Sequence, residues 1–250
     1  MSSLSLRFYG SLNDFLPTEK RQVRFSHRPK QSSTVKDTIE SLGVPHPEID
    51  LILVNDRSVD FSYLVQVGDR ISVFPRFQHL DISSVSRVQP APLPEPRFVL
   101  DVHLGKLATY LRLLGFDIRY ANHCDDATLA QIASDEQRIL LTRDRGLLKR
   151  SLVTHGYCVR HDDPLEQVSE ILSRFDLFEA IAPFERCLRC NGQLQPVEKA
   201  QVSDRLPPLT RQYYDEFYQC QSCQQVYWKG AHYAPLQQIV QQMTTLRSNS

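Results

Sequence analysis

Apolar and polar positions alternate at the start of the chain. In residues 4–9, LSLRFY, Leu4, Leu6 and Phe8 fall on one face, the period-two pattern of a half-buried strand. Residues 22–26, QVRFS, alternate in the same way and predict a second strand. Ser33-Thr34 then offers a cap to VKDTIESLG, where Val35, Ile39 and Leu42 recur at helical spacing until Gly43 stops them. Short strands are predicted at 51–54 and at 70–74, the latter after the turn-forming Val67-Gly68-Asp69. From Phe98 the texture becomes strand–helix alternation. A strand at 98–100 leads into a helical face of Leu104, Leu107, Ala108, Leu111 and Leu114, closed by Gly115. A strand at 117–121, a helix marked by Leu129, Ile132 and Ala133, strands at 139–142 and 157–160, and a helix from Pro164 through Phe175 follow.

Two strands, a helix and further strands within the first 78 residues is the order of a ubiquitin-like β-grasp, and the pattern resembles the ThiS/MoaD sulfur carriers. Those carriers act through a free C-terminal Gly-Gly, whereas here Pro75-Arg76-Phe77 runs on into more chain. A docking or substrate-guiding module is the better expectation. Residues 79–96 follow as a linker, where prolines 90, 92, 94 and 96 fix φ and remove amide donors, predicting an extended, semi-rigid connector. The alternation after it predicts an α/β domain at 97–180 with a parallel sheet covered by helices. A cysteine-rich segment at 181–235 and a tail at 236–250, in which residues from Gln237 form a short helix of no assigned role, complete the chain.

In a parallel sheet, ligands gather at the carboxyl ends of the strands. Asp101 follows the first strand directly and Asp144 follows the third by two residues, within RILLTRDRGLLKR. Asp125 and Asp126 lie between the second strand and its helix, and Asp162 and Asp163 come after the fourth strand. Clustered carboxylates repel, and a divalent cation such as Mg²⁺ or Mn²⁺ resolves the repulsion. Competing roles exist: Asp126, just ahead of ATLAQIA, can cap that helix, and Asp163 before Pro164 fits a cap better than a ligand. Arg143, Arg145, Lys149, Arg150 and, on the first helix, Lys106 lie near these acids in the chain and suit phosphate contacts, though a short basic run is also an ordinary solvated face. His103 fits packing or surface better than chemistry.

The segments ERCLRCNG and YQCQSCQQ supply Cys187, Cys190, Cys220 and Cys223. Two C-x-x-C pairs are the ligand set of a structural Cys₄ zinc site, because two intervening residues let both sulfurs of a turn reach one tetrahedral ion. The 29 residues between the pairs, 191 to 219, exceed the usual spacing and predict an elaborated ribbon. The competing redox reading wants one pair on a helix after a strand. Cys124 and Cys158 are solitary and read as small buried residues. The run VYWKGAHY interleaves aromatics with base, which suits either a small ribbon's core or stacking on unpaired bases.

Bulk properties narrow the classes. Lys and Arg total 29 and Asp and Glu total 29 of 250 residues, so attraction to nucleic acid must come from a local patch. No apolar run approaches the roughly 18 residues of a membrane span, and MSSLSLRFYG lacks the pattern of a secretory signal. The expectation is a cytoplasmic protein without disulfides or membrane contact.

FVLDVHLGKLATYLRLLGFD, DDATLAQIASDEQRILLTRDR and the two cysteine pairs together resemble the Mut-seven C-terminal ribonuclease family over about residues 97–235. That resemblance implies a PIN-like three-layer nuclease domain, a zinc ribbon and, in bacterial members, an N-terminal ubiquitin-like domain. It implies cleavage of single-stranded RNA assisted by Mg²⁺ or Mn²⁺, with the family's acidic positions at Asp101, Asp126 and Asp144 and Asp162 as candidate for a fourth; Asp125 reads as a solvated loop acid or a site member. Arg143, Arg145 and Lys106 are the expected contacts to substrate phosphates, and the N-terminal domain is a candidate site for a protein partner. The alternative is a zinc-stabilised RNA-binding or adaptor protein without catalysis. The RNA cut, the mode of cleavage and the oligomeric state have no signature in the chain.

Overall fold

The computed structural model describes residues 3–30, 32–77 and 80–246. The first and last few positions of the chain, Gln31, and the junction at Gln78 and His79 lie outside the described residues, and with them the expected linker's first residue and the tail's last four. The chain forms two compact units, neither contiguous in sequence: Met1–Pro94 with Asp125–Cys158, and Glu95–Cys124 with Val159–Ser250.

In the first unit, the alternation of Leu4–Phe8 buries Leu4, Leu6 and Phe8 almost completely. This strand is the second of a five-stranded sheet ordered Phe25–His27, Leu4–Phe8, Arg70–Pro75, Ile49–Val54, Arg57–Ser58. Leu4–Phe8 runs parallel to Arg70–Pro75 and antiparallel to Phe25–His27, the mixed pairing of a β-grasp. Helix Val35–Ser41 starts at a reciprocal cap: Asp37 N–H donates to Thr34 Oγ1 at 3.1 Å, and the Asp37 carboxylate accepts from Thr34 N–H at 3.3 Å. Val35 and Ile39 carry its buried face. The strand expected at 22–26 begins only at Phe25. Gln22 adopts a left-handed φ of 56°, and its amide donates to Asn13 Oδ1, so a turn replaces the first half of the predicted strand.

Residues 80–96, the described part of the expected extended spacer, are free of helix and strand but do not all stand clear of the domain. Ile82 and Val88 are buried, and the Ser86 hydroxyl donates to Asp50 O. The same unit holds helix Asp126–Asp135, strand Ile139–Thr142 and short helix Arg145–Leu148, with Ile139–Thr142 parallel to Gly156–Cys158. Every residue of both strands is buried, as expected of a sheet covered on both faces.

In the second unit, Phe98–Leu100 pairs in parallel with Ile118–Tyr120, and helix Gly105–Leu113 buries Leu107, Ala108, Leu111 and Leu113. Gly115 ends that turn with a φ of 96°, and a Cβ there would lie 2.2 Å from Ala182 O, so no other residue fits. Helix Pro164–Phe175 is capped by Asp163, whose carboxylate accepts from Leu165 N–H at 2.8 Å and Glu166 N–H at 3.1 Å. The ribbon is a three-stranded antiparallel sheet, Leu194–Val197, Phe217–Cys220 and Val226–Tyr227. Its long insertion forms helices Lys199–Val202 and Pro208–Tyr213, and Val202, Leu206, Phe217 and Val226 make its core, with Trp228 packed on it. Helix Tyr233–Leu246 packs against Pro164–Phe175 and buries Met243, so the tail's helix begins earlier than Gln237 and is part of the fold. Among the described residues no helix is long and apolar enough to cross a membrane.

Candidate functional site

The four cysteines are built by two matching turns. Asn191 N–H donates to Cys187 O at 2.9 Å, and Gln224 N–H donates to Cys220 O at 3.0 Å. Asn191 and Gln224 are both left-handed, with φ of 72° and 60°, so each C-x-x-C closes on itself and points both sulfurs inward. Gly192 leaves room for this: a Cβ would stand 2.8 Å from Cys220 Sγ. The sulfurs lie within 4.8 Å of one another, with Cys187 to Cys223 at 3.6 Å and Cys190 to Cys220 at 3.4 Å. Zinc–sulfur bonds of about 2.3 Å in a tetrahedron separate sulfurs by about 3.8 Å, so the cluster fits zinc with little movement. Burial pushes the Cys190 thiol up to about 12. Burial opposes ionisation of Cys220 too, but the amides of Cys223 and Ser222 and the neighbouring thiols outweigh it and bring that group down to about 7. Four ionised thiolates therefore require a cation, and a metal must displace protons to bind. All four positions are sulfur, which leaves no ligand position open for chemistry.

Three residues absent from the sequence-based site support this centre. The Tyr227 hydroxyl lies 3.1 Å from Cys187 Sγ, and burial raises its pKa, so it stays protonated and donates to the sulfur. Arg112 is 4% exposed. Its Nη1 donates at 3.1 Å to both Leu188 O and Arg189 O, the two residues between the first cysteines, while Nε and Nη2 donate to Ile118 O. Burial draws its pKa down, whereas ionised Cys187 and Cys190 favour its charge. Asn191 completes the brace by donating to Asp117 Oδ1 and accepting from Ile118 N–H, each at 2.9 Å. For Arg112 a sequence signal existed: it sits four residues after Ala108, a charge on the helix face otherwise reserved for core.

The acidic positions divide between the units. On the second, Asp101 directly follows strand Phe98–Leu100 and is 7% exposed. His103 and Lys106 are exposed on the turn and helix after it, and Asp162 is exposed beside the cap residue Asp163. On the first, Asp125 caps helix Asp126–Asp135 by accepting Thr128 N–H at 2.7 Å, a bond that holds its carboxyl below the ordinary carboxylate range. Asp126, the residue expected to cap that helix, is its first helical residue instead and is half-buried. Asp144 follows strand Ile139–Thr142; its amide donates to Thr142 Oγ1 at 2.9 Å and its Oδ1 accepts Gly146 N–H at 2.6 Å. Arg143 is exposed next to it. Arg145, assigned to phosphate on the sequence pattern, donates through Nη1 to Phe15 O at 3.1 Å.

A family model described as Mut7-C RNAse domain matches residues 96–240, and one described as Mut7-C ubiquitin matches residues 1–81. No curated protein and no solved structure matches the chain. With the β-grasp sheet, the parallel strands and the four-cysteine ribbon all present, the chain belongs to the Mut7-C ribonuclease family, in the form that carries the family's ubiquitin-like domain at its N-terminus.

Proposed function

We propose that this chain is a metal-dependent ribonuclease that hydrolyses phosphodiester bonds of single-stranded RNA, with Asp101, Asp126 and Asp144 holding Mg²⁺ or Mn²⁺. The observation that carries the reading is the match to the ribonuclease domain over residues 96–240, a span in which Asp101 and Asp144 stand at the carboxyl ends of parallel strands. The donor set suits a hard divalent cation, being carboxylate throughout. Bound there, such a cation neutralises charge on the scissile phosphate and makes water a better nucleophile. The chain's own residues prepare the chemistry. Asp144 is held in one orientation through Oδ1, and Asp125 takes the helix cap so that Asp126 need not. Arg143 and Lys106 neutralise flanking phosphates, while the guanidinium of Arg145 is engaged by Phe15. Zinc at the four cysteines cross-links the ribbon and takes no part in cleavage.

The test is cleavage of mixed-sequence single-stranded RNA with Mn²⁺ or Mg²⁺ by wild type and Asp144→Asn. Asparagine keeps an oxygen for Gly146 N–H, so the variant folds but loses the ligand charge. Activity at least about 100-fold below wild type is expected. Full activity in the variant would sink the assignment, and RNA bound but uncut by either protein would turn the reading to a non-catalytic RNA-binding module.

A further inference from the structure

The turn that carries Asp144 is gripped from outside its own strand. Asp144 is the N-cap of helix Arg145–Leu148, a single turn too short to hold its shape by itself. Cations flank that turn on both sides, and both reach into the ubiquitin-like domain of the same compact unit. Arg145 donates to Phe15 O at 3.1 Å, and its guanidinium lies 5.0 Å from the centre of the Phe15 ring. Lys149 Nζ donates to Glu40 O at 2.7 Å. Both acceptors belong to helix ends. Phe15 closes the 3₁₀ helix Gly10–Phe15, and Glu40 lies in the last turn of Val35–Ser41, where its carbonyl also accepts Gly43 N–H at 3.1 Å and the dipole favours a cation. Gly43, at a φ of 99°, keeps the approach open, since a Cβ there would come within 3.3 Å of Phe15 O and 3.8 Å of Arg145 Nη1. A third bond secures the neighbouring strand: Glu48, 1% exposed, accepts Cys158 N–H at 2.7 Å, at the end of the strand paired with Ile139–Thr142.

We infer that the ubiquitin-like domain is an internal clamp on the Asp144 turn, with Arg145 and Lys149 as positioning residues that act on Asp144 and not on substrate. The inference rests on the proposed role of Asp144 for its effect on rate, but the clamp itself is a property of the fold. Two part-buried charge-assisted bonds and a ring contact are enough to choose one conformation of a four-residue helix over its alternatives. Such a clamp makes the N-terminal domain part of the nuclease without any sulfur carrier chemistry. It also gives the basic run around Asp144 a purpose other than phosphate.

The experiment compares full-length wild type, Lys149→Met and Arg145→Met/Lys149→Met by amide hydrogen exchange over residues 139–150 and by steady-state cleavage of single-stranded RNA. Methionine keeps the apolar stems and removes only the donors. Expected is exchange about tenfold faster in the double variant and an intermediate change in Lys149→Met, with kcat reduced and KM within about twofold of wild type. Unchanged exchange overturns the clamp. A raised KM with a shallower salt dependence and unchanged exchange does so as well, and returns Arg145 to phosphate binding. Should wild type itself cleave no RNA, the nuclease reading fails alone, because the exchange measurement still decides for or against the clamp.

Discussion

Replacing Arg112 by Met tests whether the buried guanidinium is what joins the four-cysteine cluster to the rest of its unit. Met replaces the apolar stem but not the guanidinium, so the loss combines the hydrogen bonds with the space the head group filled. Four are removed: two to Ile118 O, at 2.9 and 3.3 Å, and one each to Leu188 O and Arg189 O. Bonds to a charged donor contribute roughly 1.5–3 kcal/mol each, a gross loss of about 6–12 kcal/mol. Against this, Met avoids the desolvation of a buried cation, which costs several kcal/mol. The Nη1 bonds are only part-buried, so water can replace some of what Leu188 O and Arg189 O lose. A net destabilisation of about 3 kcal/mol follows, close to two powers of ten in the folding equilibrium. Urea unfolding of the zinc-loaded protein measures it. Release of zinc to a chromophoric chelator should also quicken, because Leu188 and Arg189 are the residues between Cys187 and Cys190. A loss below about 1 kcal/mol with unchanged zinc release would mean that water and Met replace the guanidinium fully, and the bracing role would be wrong.

Tyr227→Phe removes the one hydroxyl set 3.1 Å from Cys187 Sγ and should weaken zinc binding about tenfold to 100-fold in chelator competition, with the ribbon still folded; unchanged affinity refutes the donation. His155 makes two bonds that suit the neutral ring, Nε2 to Ala91 O at 3.0 Å and Nδ1 to Thr154 Oγ1 at 3.1 Å, and burial, opposed by the Ala91 bond but helped by the charge of Arg76, lowers its pKa below 6.5. The unfolded chain then takes up the proton first as pH falls, so its contribution is present above about pH 6.5 and is lost below it; His155→Gln should flatten the fall in melting temperature between about pH 7.5 and 5.5, and parallel profiles would exclude the linkage.

What the chain reveals by itself is whatever repeats over a few residues. The faces Leu4, Leu6, Phe8 and Leu104, Leu107, Ala108, Leu111 were legible because burial enforces a period of two or of 3.6 on neighbouring positions. The cysteine pairs were legible because two intervening residues are what a metal turn needs, and the structure brings all four sulfurs together. Residues 22–24 misled because alternation is necessary for a strand but says nothing of the Asn13 side-chain oxygen Oδ1 that accepts the Gln22 amide. The two compact units, each assembled from separate stretches of chain, leave no trace in any local pattern.

The least legible features share a chemical reason. Arg112, Arg145 and Lys149 all end on main-chain carbonyls, and Arg145 meets Phe15 across 130 positions of sequence. Every residue owns a carbonyl, so the acceptor has no signature in the sequence, and a basic side chain beside an acidic one reads equally as phosphate ligand or as tether. The acceptors of Arg145 and Lys149 lie where helices end, at Phe15, where a 3₁₀ turn stops, and near Gly43, where helix Val35–Ser41 stops, whereas those of Arg112 lie in a cysteine turn and a strand. Cations placed to meet those ends are therefore best sought by asking which helix termini a fold leaves open to a side chain. On that criterion Arg145 and Lys149 are read from the main-chain carbonyls of Phe15 and Glu40 that they meet, and not from the acid between them in sequence.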